Sequence, residues 1–242
     1  MKKLSMVAVA VALFATMVSV AGAEDKVTGD VYVGPVNKYV FRGLDLSGNQ
    51  WVIQGGADLS YKDFTLSYWS NWQGHAAGAT PSSKITETDI TLNYSFSPIK
   101  LITMNVGDIY YSLEGLPDTN ELYVKTTLNT LLSPTFSIYW DWDAASKAGL
   151  FYTLSVGHTF ELAKNVGLNL GALASYNQQN YSTSENYNNL HNYELSASVD
   201  YTPTDKIKIT PWYTYSNAFN GDGRSAGVND ESIYGIKAAF IF

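Results

Sequence analysis

The clearest fold signal in the chain is the stretch Tyr193-Glu194-Leu195-Ser196-Ala197-Ser198-Val199-Asp200-Tyr201-Thr202. Apolar and polar side chains alternate here without interruption, which is typical of a β-strand with one apolar and one polar face. Residues 89–96 and 136–143 show the same alternation. Alternation by itself also fits a half-exposed sheet of a water-soluble protein, so it does not decide which face meets water.

Segments of this kind recur along most of the chain and are separated by turn-rich breaks. We predict twelve strands, over residues 28–42, 50–61, 63–73, 85–97, 99–111, 119–130, 134–143, 148–161, 166–177, 191–202, 206–217 and 231–242.

The breaks between these segments alternate in length. Short turns fall near 62, 97–98, 131–133, 162–165 and 203–205, and longer ones lie between them at 43–49, 74–84, 112–118, 144–147, 178–190 and 218–230. Short turns on one rim, long loops on the other and an even strand count are typical of bacterial outer-membrane barrels. The sequence therefore predicts an all-β fold, a single transmembrane antiparallel up-and-down barrel with short periplasmic turns and long extracellular loops.

Aromatic residues are abundant, with 18 Tyr, 6 Trp and 10 Phe. Many fall near the predicted strand ends, where two aromatic girdles would lie at the bilayer interfaces. The alternative is that these rings fill the sheet core of a secreted protein.

The two ends of the chain carry targeting signals. Lys2 and Lys3 precede an apolar run and the small-residue site Ala21-Gly22-Ala23, as in a cleaved secretory signal peptide. We therefore expect a signal peptide at 1–23 and a barrel domain at 24–242. The last strand ends on Phe242, which is typical of the C-terminal signal that the outer-membrane assembly machinery reads. Both mature ends would lie on the periplasmic rim, and Phe242 would face lipid. The barrel as a whole would contact outer-membrane lipid and lipopolysaccharide.

Composition excludes two classes of protein. Cysteine is absent, so the chain is not a disulfide-rich secreted domain. The formal net charge is −7 and no basic cluster is present, which argues against binding to nucleic acid.

The segment Asn37-Lys38-Tyr39-Val40-Phe41-Arg42-Gly43-Leu44-Asp45-Leu46-Ser47, followed by Trp51-Val52-Ile53-Gln54-Gly55-Gly56-Ala57-Asp58, resembles the first hairpin of the TorF-type porin family. That family has an aromatic-x-aromatic-Arg-Gly pattern, a loop and then a Gln-Gly-Gly strand. The likeness covers residues 29–72 and departs from the family at Asn37-Lys38, where Ser-Asp is common. It implies an outer-membrane channel and supplies no substrate.

Arg42 would lie at the outer end of the first strand, where it could pair with a lumen carboxylate such as Asp58. Gly43 would permit the turn into the loop. The alternative is that Arg42 forms a structural salt bridge and has no role in transport. Gly55 and Gly56 fit a bend or a close strand approach.

If the apolar side chains of each strand face lipid, the alternate, polar side chains line a pore. The predicted pore-lining residues are Arg42, Asp58, Asp89, Glu121, Lys125, Asp141, Asp143, Glu194, Asp200, Lys208 and Lys237, together with Asp30. Their net acidity favours passage of cations and neutral polar solutes. The alternative is that these charges pair across the lumen and plug it, because twelve strands enclose an intermediate width.

Two other functions compete with the channel. A lipid hydrolase would need a nucleophilic serine beside a histidine, and the mid-strand His158 has Val156 and Phe160 as same-face neighbours. His75 and His191 fall in or near long loops. A structural or adhesive barrel that conducts nothing fits the sequence equally well. We expect no cofactor, no metal site and a monomer, with calcium at the acidic outer loops as an open alternative.

Overall fold

The computed structural model describes residues 26–74 and 84–242. The predicted signal peptide and His75 lie outside this part of the chain. The strands are β1 Thr28–Val36, β2 Val40–Phe41, β3 Leu44–Asp45, β4 Val52–Tyr61, β5 Phe64–Gln73, β6 Lys84–Ile99, β7 Ile102–Leu113, β8 Thr119–Leu128, β9 Thr135–Asp141, β10 Leu150–Ala163, β11 Val166–Gln178, β12 Asn188–Thr204, β13 Ile207–Ala218 and β14 Glu231–Ile241. One short helix, α1, spans Gly221–Ser225.

Twelve of these strands form a closed antiparallel barrel in the order β1-β14-β13-β12-β11-β10-β9-β8-β7-β6-β5-β4. Successive barrel strands therefore pair with each other along the chain, with β4 following β1, and the last strand, β14, pairs with the first. The predicted up-and-down barrel of twelve strands is confirmed. Within the described ranges, no helix has both the length and the apolar character needed to cross a membrane.

The barrel is closed by pairing between its first and last strands. Asp30 lies opposite Ile241 and Val36 lies opposite Gly235. Phe242 continues this ladder, because its N–H donates to the carbonyl of Gly29 and its carbonyl accepts from the Gly29 N–H, both at 3.0 Å. Closure leaves no unpaired sheet edge, which is a requirement for any β-structure in hydrocarbon.

The outer wall is apolar. Val33, Leu154 and Leu195 are each more than half exposed, although they lie within strands. Exposed rings border this surface at both ends of the strands, among them Trp51, Trp72, Trp140 and Tyr176 toward the long loops and Phe136, Phe160, Tyr201, Phe240 and Phe242 toward the short turns. An apolar belt between two aromatic girdles is the surface expected of a barrel in a bilayer.

The prediction of one strand from 28 to 42 is wrong. β1 ends at Val36, opposite Val52 of β4. The side chain of Asn37 then donates to the Ser232 carbonyl at 2.9 Å and accepts from the Tyr234 N–H at 2.8 Å, which ends the pairing with β14. Residues 37–51 leave the wall and fold as a small hairpin, β2 and β3, which we call the inward hairpin.

The turn of the inward hairpin is residues Arg42 and Gly43, because Phe41 pairs with Leu44. Both turn residues have positive φ, 51° and 79°. Positive φ at both central positions defines the type I′ turn that suits a two-residue hairpin loop. Gly43 adopts this conformation readily and Arg42 adopts it at some cost, so tertiary contacts of Arg42 must hold it there.

Because the outer wall is an apolar belt, arginine substitutions at neighbouring positions of β12 should differ in their effect on the free energy of unfolding of the protein in phospholipid vesicles. We expect Leu195→Arg to lower the free energy of unfolding by about 2–4 kcal/mol, because an arginine would face hydrocarbon. Ser196→Arg should cost about 1 kcal/mol or less, because the next side chain faces the lumen. Equilibrium urea unfolding measures both. Equal losses for the two variants would show that the wall faces have been assigned incorrectly.

Candidate functional site

The inward hairpin starts on the wall formed by β1 and β4, yet its tip contacts β8, β9 and β10. In the ring of twelve strands, β8 to β10 lie opposite β1. The hairpin therefore crosses the lumen from one wall to the other.

The tip is fixed by a bidentate ion pair between Arg42 and Glu121 of β8. Arg42 Nη1 lies 2.9 Å from Glu121 Oε1, and Nη2 lies 2.6 Å from Oε2. Both side chains are buried, with exposures of 7% and 1%. Nη1 also donates to Asn180 Oδ1 at 3.0 Å and to Ser182 Oγ at 2.7 Å. Paired planar groups of this kind are the stronger type of charged hydrogen bond.

Three aromatic rings surround the same guanidinium. Its Cζ lies 4.8 Å from the ring centroid of Phe41, 5.1 Å from that of Tyr139 and 4.3 Å from that of Phe151. Such cation–π contacts stabilise a desolvated cation by about 1–2 kcal/mol each. Glu121 is satisfied as well, because it accepts from the Tyr111 hydroxyl at 3.1 Å and from Asn180 Nδ2 at 3.0 Å.

The base of the inward hairpin is fixed separately. Lys38 Nζ pairs with Glu231 Oε2 at 2.8 Å. Tyr39 is buried in an apolar cluster with Val36, Val52 and Ile233, against which Trp69 and Trp212 pack. The hairpin is therefore held to both walls, by apolar contacts at its base and by the ion pair at its tip.

The predicted pairing of Arg42 with Asp58 is wrong. Asp58 lies on β4 directly opposite Asp30 of β1. Arg42 instead reaches Glu121 on the far wall because the hairpin turns inward. Arg42 therefore forms a buried salt bridge with Glu121.

The long loops cover the outer side of the hairpin tip. Val228, which follows α1, is fully buried, and a Cβ built on Gly43 would lie 2.9 Å from Val228 Cγ1. Farther out, Glu185 accepts from the N–H of Ser146 at 2.6 Å and from the Ser146 hydroxyl. Slight desolvation acts to raise the pKa of Glu185, but the hydrogen bonds from Ser146 outweigh it and hold that pKa below its usual value.

Two of the predicted pore residues lie where β9 meets the β9–β10 turn: Asp141 is the last residue of the strand and Asp143 is in the turn. Asp141 ends β9, is 1% exposed and accepts from Thr119 Oγ1 and from the N–H groups of residues 143–145. Asp143 lies past the strand, contrary to the predicted strand bound, and accepts from Asn120 Nδ2 at 3.1 Å.

The other predicted residues lie on barrel strands with the parity opposite to the apolar outer wall. Lys125 Nζ lies 4.8 Å from the Tyr123 ring centroid and 5.7 Å from that of Tyr139. Asp200 accepts from Thr210 Oγ1 at 2.6 Å, and Glu194 accepts from Asn192 Nδ2 at 3.0 Å. Asp30, Asp58, Asp89, Lys208 and Lys237 complete this set.

Ion pairs do not fill the lumen. Among the described residues, the two lumen ion pairs are Lys38 with Glu231 and Arg42 with Glu121, and both involve the inward hairpin. The wall lysines Lys125, Lys208 and Lys237 form no ion pair within 4.0 Å with any carboxylate of the described residues. A folded segment, and not paired wall charges, narrows the barrel.

Two cavities flank the hairpin. One, of about 420 Å³, lies toward β1, β4 and β12–β14, and its lining includes Tyr32, Gln54, Trp69, Ser198, Thr210, Trp212 and Lys237. We call it the tryptophan cavity. The other, of about 350 Å³, lies toward β7–β12, and its lining includes Arg42, Tyr111, Lys125, Tyr139, Phe151 and Glu194.

Sequence reasoning missed Glu87 and Asn180. Glu87 has the parity of Asp89, so the alternation of β6 could have included it in the pore list; it is 5% exposed. Asn180 lies in a long loop, and only the tertiary structure brings its side chain to Glu121.

His158 lies on the apolar outer face. Its Nδ1 is 2.8 Å from the Leu131 carbonyl, and its ring packs edge-on against Phe160. No serine is among these contacts. In the described ranges, no group of three or more His, Asp or Glu side chains is arranged to hold a metal ion.

A closed twelve-stranded wall with an apolar exterior and a polar, constricted interior defines a porin-like barrel. The chain belongs to the family described as bacterial protein of unknown function (Gcw_chp), whose model matches residues 20–226. No curated protein sequence matches it.

Solved structures share the fold at low identity. The NanC porin is 15% identical with a TM-score of 0.58, over 88% of this chain and 98% of that chain. The KdgM porin is 11% identical with a TM-score of 0.55, over 89% and 99%. The outer membrane phospholipase OMPLA of Salmonella typhi is 10% identical with a TM-score of 0.50, over 87% and 90%. Because these structures include porins and a phospholipase, the fold alone does not choose between those functions.

Because the Arg42–Glu121 ion pair is buried, we expect the contributions of its two residues to the free energy of unfolding to be coupled. We expect Arg42→Met or Glu121→Gln to lower the free energy of unfolding by about 3–5 kcal/mol, because each leaves a buried charge without its partner. The double variant should cost less than the sum of the single losses. Equilibrium denaturant unfolding in detergent micelles or vesicles measures this cycle.

The control is the exposed pair Lys84–Glu114, whose side chains are 39% and 52% exposed. The same cycle there should give a coupling of about 1 kcal/mol or less. A coupling at Arg42 and Glu121 no larger than at the control pair would contradict the assigned role of the tip.

Proposed function

We propose that residues 24–242 form an outer-membrane channel for small polar solutes, with a preference for cations, and that the inward hairpin sets its width. The observation that carries the proposal is the closed barrel whose polar interior retains cavities on both sides of the hairpin. These cavities leave room for water and small polar solutes on either side of the hairpin.

The location in the outer membrane is part of the proposal. The leader at 1–23 would direct export, and the strand ending at Phe242 would be read by the assembly machinery. The apolar belt would contact lipid and, on the outer side, lipopolysaccharide. In this orientation the short turns face the periplasm and the long loops face outward. We propose a monomer, because the sequence specifies no extensive interface with a second copy.

The preference for cations rests on the charges of the inner wall. Carboxylates on the lumen parity include Asp30, Asp58, Glu87, Asp89, Glu121, Glu194, Asp200 and Glu231, and the lysines there are Lys125, Lys208 and Lys237. Glu121 and Glu231 pair with Arg42 and Lys38 of the hairpin. The other six carboxylates still outnumber the three lysines, so the wall is acidic. A narrow acidic passage raises the local concentration of cations.

We also propose membership of the TorF-type porins, for which the structure of the inward hairpin supplies a reason. In the aromatic-x-aromatic-Arg-Gly pattern, Tyr39 anchors the base, Phe41 lies against the guanidinium and Arg42 makes the cross-lumen ion pair. Gly43 provides the positive φ of the turn. The pattern is then the signature of an inward hairpin.

Ion selectivity tests the electrostatic part of the proposal. With purified protein in planar bilayers under a potassium chloride gradient, we expect a reversal potential of the sign given by cation preference. Asp58→Asn together with Asp200→Asn should move the reversal potential toward zero, because both remove negative charge from the wall. An anion-selective reversal potential would disprove the cation preference.

Removal of the inward hairpin tests the constriction. Val36 and Val52 are directly paired, so residues 37–51 can be replaced by a two-residue Asn-Gly turn that joins β1 to β4. We expect the single-channel conductance to rise severalfold, because the segment that crosses the lumen is absent. Circular dichroism should show that the barrel is retained. An unchanged conductance in a folded variant would exclude the hairpin as the constriction.

The second candidate is a non-conducting structural or adhesive barrel. The observation that favours it is the anchoring of the inward hairpin on both walls, which is compatible with a permanent plug. This second candidate would be supported if the intact protein conducts no ions in planar bilayers and the variant without the hairpin does. The lipid-hydrolase alternative has less support, because the hydrogen-bond partner of His158 is the Leu131 carbonyl, and its ring packs on Phe160.

A further inference from the structure

We infer that the tryptophan cavity is a binding site for the ring of a neutral sugar, with Trp212 as the surface on which the sugar stacks. The inference rests on the proposed channel function and adds a substrate class to it. The argument depends on how aromatic rings are placed in this cavity and on which polar groups face them.

Two rings lie over the backbone of a directly paired glycine. Trp212 of β13 pairs with Gly235 of β14, and a Cβ on Gly235 would lie 3.2 Å from the indole Nε1. Tyr32 of β1 pairs with Gly56 of β4, and a Cβ there would lie 2.6 Å from the Tyr32 hydroxyl. A ring that lies over a glycine uses one face against the backbone and leaves the other toward the cavity.

The third ring belongs to Trp69 of β5, which is paired with Gly56 of β4 on the edge opposite to Tyr32. Tyr32, Trp69 and Trp212 are all only half-buried, although they belong to the interior of the barrel. Partly exposed indoles in a hydrated lumen leave apolar area in contact with water. A solute with an apolar face would remove that area from water on binding.

The remaining lining supplies hydrogen-bonding groups of both kinds. Gln54 brings an amide, Ser198 and Thr210 bring hydroxyls, and Lys237 brings an ammonium. Lys237 Nζ lies 5.1 Å from the Tyr32 ring centroid. Two carboxylates, Asp30 and Asp58, are directly paired on the same lumen face, two positions from Tyr32 and Gly56. We therefore expect no preference for an anion.

A pyranose ring matches this combination. Its C–H groups form a face with slight positive charge that stacks on the electron-rich face of an indole, while its hydroxyls project sideways as donors and acceptors. The volume of about 420 Å³ falls within the range for small-ligand sites and accommodates one or two sugar rings.

The test compares D-glucose with D-sorbitol, which has a similar size and hydroxyl content but no ring. Purified full-length mature protein in planar bilayers should show a saturable reduction of ion current by D-glucose. The half-blocking concentration should be at least about threefold lower than for D-sorbitol, the effect of one aromatic stacking contact.

Variants locate the effect. Trp212→Ala should raise the half-blocking concentration of D-glucose about three- to tenfold, and Trp212→Phe should retain most of the block because a ring face remains. Trp140→Ala, which removes an indole from the outer wall, should change nothing. Circular dichroism of each variant checks that the barrel is intact.

Saturation-transfer NMR on the same samples in detergent measures sugar binding without any current. If ions pass but D-glucose and D-sorbitol block equally, or Trp212→Ala has no effect, the sugar site is disproved and the channel stands. If no current is seen while saturation transfer to D-glucose is lost in Trp212→Ala, the site stands and the channel fails. Block by choline but not by D-glucose would also overturn the inference, because it would assign the rings to cations.

Discussion

Backbone pairing between β1 and β14 is the constraint on which the rest of the structure depends. Once Phe242 and Gly29 exchange hydrogen bonds, every strand has two neighbours and the sheet has an inside and an outside. The alternating side chains then point to different sides: the apolar ones face outward and the polar ones face a shared lumen. Closure also fixes the width of that lumen, since twelve strands enclose more space than their own side chains can fill.

The inward hairpin is a response to that width. A segment that enters the lumen loses water around its charges, so its arginine has to be paired where it arrives. Arg42 contacts Glu121, Tyr139 and Phe151 on the opposite wall and Asn180 and Ser182 in the loop after β11. These contacts offset the energetic cost of a φ of 51° at a non-glycine residue. The barrel therefore depends on closure for its fold and on a single buried ion pair for the shape of its interior.

The sequence predicted the barrel because the relevant signals are local. Strand alternation, turn residues and loop lengths are all visible within about ten residues, and they were sufficient for twelve strands and for the outward face of Phe242. The inward hairpin could not be predicted in this way. Residues 37–42 continue an alternating pattern, and nothing local shows that Asn37 ends the pairing with β14. The partner of Arg42 is 79 positions away, so the choice of Glu121 over Asp58 required the tertiary structure. Asp143 was misplaced for a similar reason, because the turn that Asp141 organises begins inside an alternating segment.

Glycines on the lumen face show how the same sheet chemistry shapes the interior. Tyr32 lies over Gly56, Trp212 over Gly235 and Tyr123 over Gly107, in each case across a directly paired position. A ring in this arrangement covers backbone that a glycine would leave bare, which stabilises the strand pair. It also keeps the ring close to the wall, so a large side chain takes little of the lumen. Aromatic area is thereby placed along a polar passage without closing it, and this explains how a narrow barrel can hold a cross-lumen hairpin and still retain cavities of several hundred Å³.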